Sequence, residues 1–257
     1  MIILTGDTHS DFGRFSSRRF SAKKGMTRRD YVIICGDFGG EWDASRGENS
    51  RLDWLEQHCP FTTLFVDGNH ENYDLLAPYP IEEWHGGKVQ RIRPSVLHLM
   101  RGQVYEICGK AFFTMGGAVS HDIGDGILNR SDNDFADNHF RLRCRNSMFR
   151  INHESWWKEE LPGDEEYDEA LRNLDRAGWS VDYVITHCAP TRIQAIVGDG
   201  TYAPDRLTDF LETISERCLF KKWFCGHYHI NQTVEDRYIL LYDELRPLEP
   251  ADTVSGA

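Results

Sequence analysis

Five short runs of β-branched and aromatic residues, each cut off by polar residues, constrain this chain more than any other feature. IILT (2–5) stops at Gly6-Asp7-Thr8-His9, and YVIIC (31–35) at Gly36-Asp37-Phe38-Gly39-Gly40. TTLFV (62–66) stops at Asp67-Gly68-Asn69-His70-Glu71. YVIT (183–186) gives way to His187-Cys188-Ala189-Pro190, and KWFC (222–225) to Gly226-His227-Tyr228-His229. Four or five residues are too few for a helix, so these runs read as buried strands. Helical patterns fall between them. Over 164–178, Asp164 suits an N-cap, Glu165 and Glu166 the first turn, and Gly178 the stop, with Tyr167, Leu171 and Leu174 at helical spacing. Over 205–217, Leu207, Phe210, Leu211 and Ile214 form one apolar stripe. Strands alternating with helices predict α/β layers. Val96 to Met115 reads as two or three strands in close succession, the start of a second sheet. Nothing resembling a linker divides the chain, so a single domain is expected over 1–246, with a loose tail over 247–257.

Composition narrows the function. At 257 residues, 40% of them apolar, the chain can build a full core. A formal net charge of −12 argues against sequence-independent binding to nucleic acid polymers or anionic membranes. No apolar run reaches the roughly 20 residues of a membrane helix. MIILTGDTHS lacks the basic start of a signal peptide, and the seven cysteines have no zinc-finger or CxxC spacing. A cytoplasmic protein with reduced thiols is expected. Cys35, Cys188 and Cys225 lie in apolar runs and read as small buried hydrophobes.

In open α/β sheets, ligands collect beyond the carboxyl ends of the strands. The five ends offer Asp7, His9, Asp37, Asn69, His187, His227 and His229. That is enough nitrogen and oxygen for two metal ions, with an Asp at a strand end able to bridge them. A sulfur-free, imidazole-rich set suits divalent transition-metal ions such as Mn²⁺, Fe or Zn²⁺.

The ordered motifs G-D-x-H (6–9), G-D (36–37), G-N-H-E (68–71), a lone His187 after a strand and G-H-x-H (226–229) resemble the calcineurin-like metallophosphoesterases. Each motif alone is commonplace; the ordered set, spread over nearly the whole chain, is not. The resemblance implies a four-layer α/β/β/α sandwich. It assigns Asp7, His9 and His229 to a first ion, Asn69, His187 and His227 to a second, and Asp37 to both. His70 would face the substrate as a proton donor to the leaving group, oriented by a carboxylate or carbonyl. Two ions about 3.5–4 Å apart would hold the phosphoryl oxygens and a bridging hydroxide that attacks phosphorus in line. A small phosphomonoester, nucleotide or phosphodiester is the expected substrate.

The chain departs from the protein serine/threonine phosphatases, an alternative within the family. Where they carry an Asp-Arg pair after the second GD, this sequence has Phe38-Gly39-Gly40-Glu41. GGAVSHD (116–122), Ser155-Trp156-Trp157 and THCAP (186–190) instead resemble a bacterial branch of metallophosphoesterases. An insertion is expected over about 122–150. Within it RLRCR alternates, which would set Arg141, Arg143 and Arg145 on one face of an extended segment, with Arg150 following. Guanidinium forks suit phosphate, although a solvated basic edge fits the same pattern. Trp156 and Trp157 read as packing residues rather than a base-stacking platform. A non-enzymatic module on the same fold would be expected to have lost ligands, and none is missing.

Overall fold

The computed structural model describes residues 1–248. All five apolar runs are strands with the expected bounds. In chain order the first sheet takes β1 (Ile2–Thr5), β2 (Tyr31–Cys35), β3 (Thr62–Val66), β4 (Ile81–Trp84), β5 (Gly87–Arg93) and β6 (Val96–Leu99). The second takes β7 (Gln103–Ile107) and β8 (Lys110–Met115). A two-stranded ribbon pairs β9 (Ile127–Leu128) with β10 (Arg150–Ile151). The second sheet then adds β11 (Tyr183–Thr186), β12 (Lys222–Cys225), β13 (Gln232–Val234) and β14 (Tyr238–Leu240), and β15 (Arg246–Pro247) returns to the first. The helices are α1 (Arg46–His58), α2 (Tyr73–Leu76), α3 (Phe135–Cys144), α4 (Asp164–Arg176), α5 (Thr191–Val197) and α6 (Arg206–Arg217). Strand orders are β15-β1-β2-β3-β6-β5-β4 and β13-β14-β12-β11-β8-β7. Each sheet has four parallel central strands and antiparallel edges.

Three cores make this a four-layer sandwich. Because side chains alternate across a strand, Ile2 and Leu4 of β1 face the second sheet while Ile3 faces the other way. The middle core joins Ile33, Leu64 and Val66 to Phe112, Ile185 and Phe224 of the opposite sheet. Outside the first sheet, Ile3, Val32 and Ile34 pack with Leu52 and Leu55 of α1. Outside the second, Val184 and Trp223 pack with Leu174 of α4 and Leu207, Leu211 and Ile214 of α6. All seven cysteines are free, and no helix among the described residues is long and apolar enough to cross a membrane.

Several expectations are corrected. The stretch 96–115 spans both sheets: β6 pairs with β3 and β5 in the first, and only β7 and β8 open the second. The N-cap of α4 is Gly163; Asp164 is already helical, and the Glu166 carboxylate accepts the Gly163 N–H at 2.8 Å. RLRCR is not extended. It lies at the end of α3, where a two-residue step turns about 200° and separates Arg141 from Arg143. An i, i+4 stack of Phe135 on His139 supports that helix, and Arg141 donates to Asn138 at 2.8 Å. Arg145 is its C-cap and exposed. At the C-terminus, Pro247 pairs with Ile3, and the Leu248 N–H donates to Ile2 at 2.9 Å. The remaining tail, 249–257, lies outside the described residues.

The chain turns sharply after β3, and a buried ionic network holds it there. Arg101, between β6 and β7, donates through Nε to Asp67 Oδ2 at 2.7 Å and through Nη2 to the same oxygen. His98 Nε2 lies 3.1 Å from Asp67 Oδ1, and the Tyr73 hydroxyl is 2.9 Å from Oδ2 and 2.6 Å from the Gly68 carbonyl. Burial alone would raise the Asp67 carboxyl, but Arg101 and His98 outweigh it and hold it well below the usual carboxylate range. Arg101→Ala leaves that carboxylate buried without its counter-charge. It should cost about 3–5 kcal/mol, read as a lower midpoint in urea denaturation, whereas Arg141→Ala on the exposed helix should leave the midpoint in place.

Candidate metal centre

The parallel strands of the two sheets deliver their carboxyl ends to one edge of the sandwich. β1, β2 and β3 bring Asp7, His9, Asp37 and Asn69; β11 and β12 bring His187, His227 and His229. The turns leave no room for side chains. A Cβ on Gly68 would sit 2.1 Å from Asp37 Oδ1, and one on Gly36 (φ +90°) 2.0 Å from His187 Nδ1. His9, Asp37, His227 and His229 all adopt positive φ, between 42° and 69°. Strained backbone of this kind persists where the surroundings force it, as they do at functional sites.

Asp7, His9, Asp37 and His229 each offer a ligand atom within 4.8 Å of the others. His9 Nε2 lies 3.1 Å from His229 Nε2 and 3.7 Å from Asp37 Oδ2. On the other side, His187 Nε2 lies 3.2 Å from both Asp37 Oδ1 and Asn69 Oδ1. One oxygen of Asp37 therefore faces each group. His227 stands next to His187, ring centroids 4.9 Å apart, and its backbone N–H donates to Asp7 Oδ1 at 2.9 Å.

Surrounding bonds orient the donors. His187 Nδ1 donates to the Cys35 carbonyl at 2.9 Å, which fixes the ring with Nε2 facing Asp37. Asn69 donates its amide to Ser120 Oγ at 3.2 Å, turning its carbonyl oxygen to His187. The wholly buried Glu71 accepts from Phe38 N–H at 2.7 Å and Gly39 N–H at 3.2 Å, tying the third strand's turn to the second's. Arg14 donates to the Asp7 carbonyl at 2.7 Å and to Gly6 and Tyr242 carbonyls, fixing the first turn.

The charge balance suits cations. Burial lowers His9 to about 4 and lowers His227 and His229 as well, which disfavours their charged forms. Burial raises Asp7 to about 7, with His187 opposing and Asp37 reinforcing the rise. Against burial, the adjacent Asp37 raises His187 to about 9, and His187 in turn holds Asp37 below the carboxylate range. Buried carboxylates beside imidazoles, without sulfur, fit divalent transition-metal ions.

His70 sits against this cluster. Its backbone N–H donates to Asp37 Oδ1 at 2.8 Å, and its ring meets His9 edge-on at 5.3 Å and Trp42 at 6.4 Å. The expected carboxylate or carbonyl partner is not found: among the described residues its ring makes no hydrogen bond. Burial lowers its pKa, Asp37 opposes this, and Arg150 adds to it. Arg150 forks onto Asp122, with Nε 2.9 Å from Oδ1. Arg150 and Arg143 line a groove of about 630 Å³, whereas Arg141 and Arg145 do not line it. Trp157 is buried, as expected of a packing residue, and donates to Asp74 at 2.7 Å.

Two groups escaped the sequence reading although GGAVSHD was singled out. Ser120 bonds Asn69, and His121 Nε2 lies 2.8 Å from His227 Nε2. The only signal was a polar turn after β8, a sixth parallel strand ending on the same edge.

No curated protein matches this chain. Residues 1–231 match the calcineurin-like phosphoesterase family, whose members are mostly metal-dependent phosphoesterases. The match spans every strand end that carries a donor and nine-tenths of the sequence, and the chain belongs to the calcineurin-like phosphoesterase family.

Proposed function

We propose that the chain is a binuclear metallophosphoesterase hydrolysing a small phosphomonoester, nucleotide or phosphodiester. The observation that carries this reading is Asp37, whose two carboxylate oxygens face separate donor groups. Asp7, His9 and His229 would hold one divalent ion, and Asn69, His187 and His227 the other, with Asp37 shared. Mn²⁺, Fe or Zn²⁺ bound there would supply Lewis-acid charge and an activated water for attack on phosphorus.

The chain's own residues do the rest. His70, beside the cluster, would in its imidazolium form give a proton to an alkoxide leaving group. Arg150 retains N–H groups beyond those committed to Asp122, and these can bind phosphate oxygens that the ions leave free. Trp42, half-buried, stands next to His70. Free exposed Cys108 and Cys144 fit a reducing compartment, which supports a cytoplasmic location.

Mn²⁺-loaded protein should hydrolyse a chromogenic aryl phosphate, and Asp37→Ala should lose both metal content and turnover. A fully active protein with a single ion, or a metal-loaded protein inert across mono- and diesters, would sink this reading. His70→Ala should keep its metals while turnover on alkyl phosphates falls by ~10²-fold or more. Aryl substrates, whose leaving groups need no proton, should suffer less; equal losses would mean an electrostatic role. Arg150→Ala should raise KM with metal content unchanged, and Arg150→Lys should restore only part of the binding, because an ammonium lacks the fork. Unchanged kinetics would place phosphate recognition elsewhere.

A further inference from the structure

We propose that α3 is a self-association surface, through which two copies of this chain meet about a two-fold axis. The helix is ten residues long, and none of them is buried. A helix of that length is marginal without packing along one face. Its two sides differ in exposure. Phe135, Asn138, His139 and Leu142 are half-buried. Ala136, Asp137, Phe140, Arg143 and Cys144 are exposed, and at about 100° per residue they all fall within about 60° of Phe140. They form the outward face, with Phe140, 71% exposed, in its middle. One exposed phenylalanine is ordinary by itself; the residues beside it specify a partner.

That partner is a second α3 running antiparallel. Phe140 lies at the middle of Phe135–Cys144, so a two-fold axis beside it sets the ring on its own copy. The same operation brings to one level any two positions equally far before and after Phe140. Asp137 then meets Arg143 of the partner subunit, once on each side of the axis, and the small Ala136 meets Cys144 of the partner subunit. A two-fold contact requires a patch that complements itself in this way. Among the described residues the side chains of Asp137 and Arg143 have no hydrogen bond or ion pair, whereas Asp134 and Arg141 are both engaged by Asn138. Net charge favours the same place. The chain carries −12 overall, but between residues 134 and 145 three arginines outnumber two aspartates. Two copies can approach there without the repulsion of one acidic surface for another. Helices about 15 Å long bury less than the roughly 1,600 Å² of a standard interface, so the dimer is a weak one that forms as concentration rises.

The test is sedimentation velocity of the full chain over a concentration series. Wild type should shift from the coefficient of one chain towards that of two as concentration rises, and added salt should oppose the shift. Asp137→Arg and Arg143→Asp should each stay monomeric, because each sets like charges opposite one another across the axis. Mixed in equal amounts, the two variants should associate again, since every facing pair is then opposite in sign. The substituted positions are exposed, and circular dichroism would verify that the variants fold. Mild oxidation with diamide gives a second readout that does not depend on charge. Phe140→Cys should form a disulfide-linked dimer, because residue 140 meets its own copy. Wild type should not, since its two Cys144 side chains stand about 12 Å apart at opposite ends of the contact. A wild type that stays monomeric throughout, or single variants that associate as wild type does, would overturn the proposal. So would folded variants that fail to associate when mixed, or a dimer that Phe140→Cys does not cross-link.

Discussion

A carboxylate with about 1% of its surface exposed, set between imidazoles, is the constraint on which the rest of this structure depends. Asp37 cannot be stable there as a bare charge. It is held by the His70 backbone N–H and by His187, and its two oxygens face in different directions. Burial and charge pull against each other throughout: the exposed-edge imidazoles are driven neutral, while His187, wholly buried yet beside Asp37, is driven the other way. Divalent ions would resolve that conflict by supplying positive charge between the carboxylates and the imidazoles.

Around this centre the turns are locked to one another rather than to solvent. Glu71 ties the third turn to the second, Arg14 ties the first to the chain after β14, and the Asp67–Arg101 pair holds the root of the third. Ser120 links Asn69 to Glu160. Such partners matter because donors misplaced by about 1 Å lose much of their chemistry. Four donors on left-handed backbone show that the scaffold outweighs local preference at these positions.

The sequence made the strands legible because buried parallel strands are almost uniformly apolar, and each motif begins where that pattern breaks. Asp7, His9, Asp37 and His229 could be read by position alone, and they do converge. The sheet to which β6 belongs could not, since a four-residue apolar strand carries no mark of its partner. Alternating arginines misled for a related reason: charge placement on an exposed segment is compatible with either period, and the helix buries nothing that would reveal its face. His121 was hidden because it follows β8 by six residues of turn, and only the fold brings it to His227. The orienting group expected for His70 was an inference from resemblance, and here rings of His9 and Trp42 take that place.

The donors divide between the sheets, and that division gives the middle core a functional role. Asp7, His9, Asp37 and Asn69 hang from the first sheet; His187, His227 and His229 hang from the second. The two groups of donors described above each draw on both sheets, so the distance between donor atoms within a group is set by how the sheets pack. That spacing is fixed by Leu4, Ile33 and Val66 against Ile185, Phe224 and Ile239, a close-packed layer with low compressibility. A sliding of one sheet over the other would pull His229 from His9 and His187 from Asp37 in a single movement. The apolar alternation that points Ile2 and Leu4 inward thus acts on the chemistry as directly as the polar motifs do: the former sets the gap, and the latter supply the atoms that span it.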